Sequence, residues 1–363
     1  MDGHLITADG VEHPITPDNV KELLASSTRF WLDLAGLDPD AGVGLLRDTF
    51  KFHPLAVEDA ENFGQRPKID AYDGYSLLVV YGATASGHLV EVHCFYTDTY
   101  LVTVHHHPCP ELRAVAGRLH QRFGAHRAPV MLLYVVIDTL IDGYFPVLAQ
   151  LDDQIDELED EILESPTEQQ LGSLFDMKRS LIAMRKVVTP QRDMFATLLG
   201  SGEDVLPGMT PEAERYFRDL YDHLIRISDL VDSYRDLMSG ALDTHLSTVS
   251  NRLNVVMKQL TIIATVFLPL SFLTGFFGQN FAWMVSRIGS VYAFFGIGIG
   301  LELVAAGALL YLFRKRGWLT SDGTVPAAKS ARRPRVERDR RWHMLHPAVP
   351  HHAFENDAAP SGA

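Results

Sequence analysis

Ten residues recur in steps of four and three along one stretch of the chain: Asp243, Ser247, Ser250, Asn254, Met257, Thr261, Ala264, Leu268, Ser271 and Gly275. That alternation keeps one face of a helix in register with a neighbouring helix. The line is polar where it begins and small or apolar where it ends. Beside it Leu242, Leu246, Val249, Leu253, Val256 and Leu260 keep the same spacing. In a parallel bundle one such seam packs and its neighbour faces the axis. A polar line beside an apolar seam is therefore what the lining of a water-filled ion path needs. A coiled coil carrying register-setting polar residues is the plainer alternative.

Carboxylates supply the other chemistry. Leu148, Leu151, Ile155, Leu158 and Ile162 form an apolar stripe, and the rest of that helix carries Asp152, Asp153, Asp156, Glu157, Glu159, Asp160, Glu161 and Glu164. Such a run is either a solvated face or a cation-attracting field. Glu302 lies inside an apolar run, where an ionisable group is costly unless paired, protonated or wetted. His105-His106-His107-Pro108-Cys109 offers ligands of the kind that suit zinc, but consecutive residues of a strand point opposite ways. We find no nucleophile–base pairing, phosphate loop or catalytic metal motif, so an enzyme is not expected.

These residues need long elements to hold them. Leu260 to Gly278 carries no charge and is about long enough to cross a bilayer, and Val291 to Phe313 is a second such run. Arg252 and Lys258 precede the first; Arg314, Lys315 and Arg316 follow the second. The positive-inside rule then puts both flanks in the cytosol and leaves residues 279–290 as an external loop. Thr210-Pro211-Glu212 is a strong helix start. If that helix runs on to Phe277 it has roughly 65 residues and spans about 100 Å. With two spans per chain, a central pore requires several subunits.

Upstream, Phe30 to Leu34 and Ser76 to Tyr81 read as strands, and Leu89 to Val104 as a hairpin turning near Asp98-Thr99. The expected architecture is an α+β cytosolic domain, a long stalk helix and two transmembrane helices. By residue, 1–135 form the mixed domain, 136–209 an acidic helical hairpin, and 210–278 the stalk and first membrane helix. Residues 279–290 are the loop, 291–313 the second membrane helix, and 314–363 a basic cluster with a disordered tail. That tail includes Arg332-Arg333-Pro334-Arg335, a candidate contact for anionic lipid. A formal net charge of −14 argues against nucleic acid as a partner. Cys94 and Cys109 fit free thiols rather than a disulfide framework. The N-terminus has no basic flank before an apolar core, which predicts no cleavable signal peptide.

The stretch Leu260-Thr261-Ile262-Ile263-Ala264-Thr265-Val266-Phe267-Leu268-Pro269-Leu270, followed by Gly278-Gln279-Asn280, closely resembles the pore-helix end of the CorA family of magnesium channels. Further matches are His53-Pro54-Leu55-Ala56-Val57-Glu58-Asp59 with Arg66-Pro67-Lys68, Tyr216-Phe217-Arg218-Asp219-Leu220-Tyr221-Asp222-His223, and the basic cluster with Trp318. The resemblance covers about residues 28 to 319. It implies a funnel-shaped homopentamer in the cell (inner or plasma) membrane, with both termini cytosolic. It also implies a selectivity ring of Asn280 side chains, which suits magnesium because that ion gives up its water reluctantly. Asn254 and Asp243 match polar pore positions, and Met257, Leu260 and Leu268 would form the apolar constriction. Glu58, Asp59, Asp138 and Asp219 stand where the family has regulatory carboxylates between subunits. Magnesium bridging them would hold the pore closed, and its loss would open it.

Two positions depart from the family. Gln279 replaces Met in Gly-Met-Asn, and the loop reads Phe281-Ala282-Trp283-Met284-Val285-Ser286-Arg287, without the usual acids. The expected function is membrane-potential-driven magnesium influx gated by internal Mg2+. The departures keep two other readings open: a Zn2+, Co2+ or other transition-metal transporter, proton-coupled through Glu302, or a non-conducting membrane-anchored metal sensor.

Overall fold

Alternation of apolar residues builds the N-terminal domain. In the computed structural model, which describes residues 2–38, 41–106, 109–122, 129–201, 205–279, 282–287 and 290–319, seven strands form one mixed sheet among the described residues. The strands are β1 (Asp2–Thr7), β2 (Glu12–His13), β3 (Phe30–Ala35), β4 (Lys68–Tyr72), β5 (Tyr75–Ala83), β6 (Leu89–Tyr96) and β7 (Tyr100–His105). Their order is β2-β1-β3-β7-β6-β5-β4, with β3 parallel to β7 and every other pair antiparallel. The expected strands and the β6–β7 hairpin are present. The edge strands β2 and β4, of two and five residues, carry too little of a period to announce themselves in sequence, and β1 is not among the expected strands either.

Both faces of the sheet are covered. Leu77, Phe95, Val102, Val104 and Leu32 join one core with residues of α1 (Pro17–Ala25), α2 (Ala41–Gly44, running into a π turn at Leu45–Thr49) and α3 (Pro54–Glu61). Successive residues of a strand point to opposite faces, so the other set meets α5 (Pro129–Asp142). There the backbones nearly touch: a Cβ on Gly82 would sit 2.7 Å from the carbonyl oxygen of Leu140. Where β4 stops pairing with β5 at Val79, the buried side chain of Gln191 takes over. Its amide nitrogen donates to Tyr81 O at 3.0 Å, and its oxygen accepts from Tyr81 N at 2.6 Å. The backbone groups of Tyr81 are thus satisfied without another strand.

Helices follow the sheet: α4 (Pro110–Arg122), α5, α6 (Tyr144–Glu164), α7 (Glu168–Ser201) and α8 (Pro211–Phe277). The stripe of α6 is buried at all five positions, from Leu148 to Ile162. The Thr210 hydroxyl caps α8 by accepting from Ala213 N at 3.1 Å. That helix then continues for 67 residues without a break, Pro269 included. Beyond it come α9 (Ala282–Arg287), α10 (Val291–Ala293), a π-helical stretch Phe294–Ile299, and α11 (Gly300–Lys315).

Two compact units result. One comprises residues 1–159 and 167–243, the other residues 160–166 and 244–363. By length and apolar composition, three helical stretches among the described residues could cross a membrane: Pro129–Glu164, Pro211–Phe277 and Val291–Lys315. Half of the apolar window in Pro129–Glu164 is buried, whereas none is in the other two. Packing against the sheet therefore accounts for the first, and the apolar windows of the two C-terminal stretches are left bare.

Candidate functional site: a polar helix line and a carboxylate–histidine cluster

Helical phase decides what the long helix shows. Asp243, Ser247, Ser250, Asn254, Met257, Thr261, Ala264, Leu268, Ser271 and Gly275 are exposed at every position on α8. So are Leu246, Leu253, Val256 and Leu260 of the adjacent seam. Met257 is 62% and Leu268 77% accessible, far more than isolated apolar side chains need be. Met238 and Ala241, off this line, are buried. The face carrying the line is therefore one that a single chain leaves uncovered.

Hydroxyls on this helix bond to their own backbone. Thr261 donates to Met257 O at 2.7 Å and Thr265 to Thr261 O at 2.7 Å. Each proton is spent on the helix, so the hydroxyl oxygen is left to accept from water or to meet a cation. The helix closes with Gly278 N donating to Thr274 O at 2.9 Å and Gln279 N to Phe276 O at 3.3 Å. Gln279 is exposed. Asn280, the expected selectivity residue, lies outside the described residues, as do His107, Pro108 and the tail with Arg332, Arg333 and Arg335.

The second apolar helix ends on charge. Arg314, Lys315 and Arg316 are exposed at its C-terminus, where cations complement the helix dipole. Gly317, at φ 69°, turns the chain so that Trp318 N donates to Phe313 O at 2.8 Å. The Trp318 ring then stacks on Phe313, with centroids 5.6 Å apart.

In the N-terminal domain, Asp138 and Asp142 lie one turn apart on α5, and Asp219 and His223 one turn apart on α8. Asp138, Asp142 and His223 each offer a ligand atom within 4.8 Å of the others. His223 Nδ1 stands 3.4 Å from an Asp142 oxygen, and its Nε2 3.8 Å from an Asp219 oxygen. Neither is a well-formed hydrogen bond, and Nδ1 is a buried ring nitrogen without one. Phe145 covers the ring edge-on at 5.6 Å. Burial, and then the neighbouring Asp142 charge, pushes the Asp138 carboxyl up to about 7. His223 is raised in turn, first by Asp142 and against its own desolvation. Two acids that disfavour one another's charge, beside an imidazole, form a site that a divalent cation would relieve.

The remaining expected carboxylates sit elsewhere. Glu58 is exposed on α3, and Asp59 is ion-paired with Lys68 at 2.6 Å. Within one chain neither joins the cluster. Sequence reasoning named Asp138 and Asp219 but missed Asp142 and His223. The signal was there, since each is four residues from a named carboxylate and so shares its helix face. Among the described residues of the histidine strand end none joins a metal-ligand group: His105 approaches Asp33 at 3.2 Å, His106 meets the Phe63 ring, and burial pushes the Cys109 thiol up to about 12.

A mixed domain whose last helix runs unbroken into an apolar segment, followed by a second apolar helix with a basic end, defines an integral-membrane ion transporter of two spans per chain. The chain belongs to the CorA family: the model of the CorA-like Mg2+ transporter protein matches residues 27–315. The cobalt/magnesium transport protein CorA of Thermotoga maritima is 36% identical over 303 residues, covering 81% of this chain and 84% of that protein. The zinc transport protein ZntB of Yersinia enterocolitica is 26% identical over 271 residues, 73% of this chain and 80% of its own length. The complete structure of the CorA magnesium transporter from Methanocaldococcus jannaschii superposes with a TM-score of 0.70 at 21% identity. That match covers 80% of this chain and 92% of that one, and it shows the shared fold. Members of this family move divalent cations across membranes; they are not enzymes.

Proposed function

We propose that this protein is a homopentameric magnesium channel of the cell membrane, with both termini in the cytosol. Influx is driven by membrane potential and closed by intracellular Mg2+. The observation that carries this is the ten-residue line of α8, exposed throughout and running from a carboxylate through small hydroxyl and amide side chains to a glycine. Repeated around an axis, with the bare Leu246–Leu253–Leu260 seam packed between copies, it lines a path for a hydrated cation. Gly278, Gln279 and Asn280 form the outer mouth, and Met257, Leu260 and Leu268 the apolar constriction. Asp138 and Asp219, with Asp142 and His223 beside them, bind the regulatory ion in the domain, and Glu58 and Asp59 complete the set across the subunit interface.

A transition-metal transporter is the second reading. It is favoured by His223 in the cluster, because imidazole suits Zn2+ and Co2+ better than Mg2+. Ion flux into proteoliposomes holding an inside-negative potential separates the two. Saturable Mg2+ influx supports the first, and Zn2+ influx without Mg2+ influx the second. No flux of any divalent ion would leave a membrane-anchored sensor.

A further inference from the structure

Glu302 is an acid in the middle of the apolar stretch Val291–Lys315, in the first turn of α11, and the ion path described above does not use it. Its partner is on the first membrane helix. Thr274 Oγ1 lies 2.7 Å from Glu302 Oε1 and 2.8 Å from Leu270 O. Thr274 and Glu302 belong to the same compact unit. Thr274 is one turn before the mouth, and its own carbonyl accepts the amide of Gly278 at 2.9 Å.

Thr274 donates from its hydroxyl, with Glu302 Oε1 and Leu270 O both within reach as acceptors. The contact gives Glu302 a polar partner on the neighbouring helix, which an ionisable side chain among apolar residues needs. The π-helical stretch Phe294–Ile299 lies immediately before α11. A wider turn there resets the rotational phase of the residues after it, which sets the direction Glu302 faces.

We propose that Glu302 is a positioning residue for cation transport, a hydrogen-bonded latch that fixes the second membrane helix to the first one turn below Gly278-Gln279. The inference rests on the transport reading. Its test is the rate of Mg2+ influx, and the Mg2+-to-Co2+ flux ratio, for the full chain in proteoliposomes. Glu302→Leu and Thr274→Val should each lower Mg2+ influx by about threefold or more, the scale of an interhelical hydrogen bond in a bilayer, and should shift the ratio. Their double variant should be no worse than the poorer single one, because both remove the same bond. Glu302→Gln and Thr274→Ser, which keep the acceptor oxygen and the hydroxyl, should recover most of the influx. Where Glu302→Leu fails to assemble, these two conservative variants decide the matter.

Unchanged influx and ratio in Glu302→Leu would overturn the latch. So would additive losses in the double variant, or a Glu302→Gln as impaired as Glu302→Leu. Absent Mg2+ influx in the unaltered protein would instead strike the transport reading itself.

Discussion

His223 on α8 holds its ring Nδ1 3.4 Å from a carboxylate oxygen of Asp142 on α5, although the two helices are far apart in the chain. With Asp138 they form a three-ligand set whose ligand atoms all lie within 4.8 Å of one another. Replacing Asp142 with Asn and His223 with Ala together should weaken Co2+ or Zn2+ binding to the purified full chain by at least about tenfold. Titration calorimetry measures this. Equal affinity in the variant would remove the cluster as a site.

The same cluster sets a pH dependence. A carboxyl raised from 3.8 to about 7 stabilises the folded domain most below about pH 3.8, and that contribution is lost as pH climbs through about 7. His223, also raised, loses its contribution in the same direction. Without divalent ions the melting temperature should therefore fall as pH rises through neutrality, while cation affinity rises as protons leave. Asp138→Asn, which mimics the protonated acid, should flatten the Asp138 part of both trends in thermal melts across that range.

The contact between β5 and α5 places the cluster. Gly82→Ala puts a methyl group 2.7 Å from the Leu140 carbonyl oxygen, against backbone that cannot swing aside. It should cost about 1–3 kcal/mol of domain stability, read from denaturant unfolding. Because Asp138 and Asp142 flank Leu140 on the same helix, cation affinity should drop as well.

The sequence made the long elements legible and left the short ones hidden, for physical reasons. A 67-residue helix repeats its phase many times, so the line from Asp243 to Gly275 and the start at Thr210 were readable from spacing. The stripe of α6 was readable for the same reason. β2 has two residues, and β4 is an edge strand with no fully buried position, so neither carries a usable period. The π turns at Leu45–Thr49 and Phe294–Ile299 leave no distinct residue pattern. The pairing of α5 with α8 that joins Asp142 to His223 is a tertiary contact, which spacing along one helix cannot supply.

Gating is tested on the carboxylates themselves. Asp59 is held by Lys68 at 2.6 Å, so an ion that uses Asp59 must compete with that ammonium. Replacing Asp59 and Asp219 together with Asn should leave Mg2+ influx weakly inhibited by Mg2+ inside the vesicle, shifting the half-inhibiting concentration upward by about tenfold. Inhibition at the unaltered concentration would sink the sensing role of both residues.

The most direct measurement is Mg2+ influx into proteoliposomes under an inside-negative potential, comparing the unaltered chain with Asn280→Ala. A channel lined by α8, with Gly278-Gln279-Asn280 at its mouth, predicts saturable influx that the substitution abolishes or makes unselective among divalent ions. Influx of the same rate and ion preference in both proteins would contradict it.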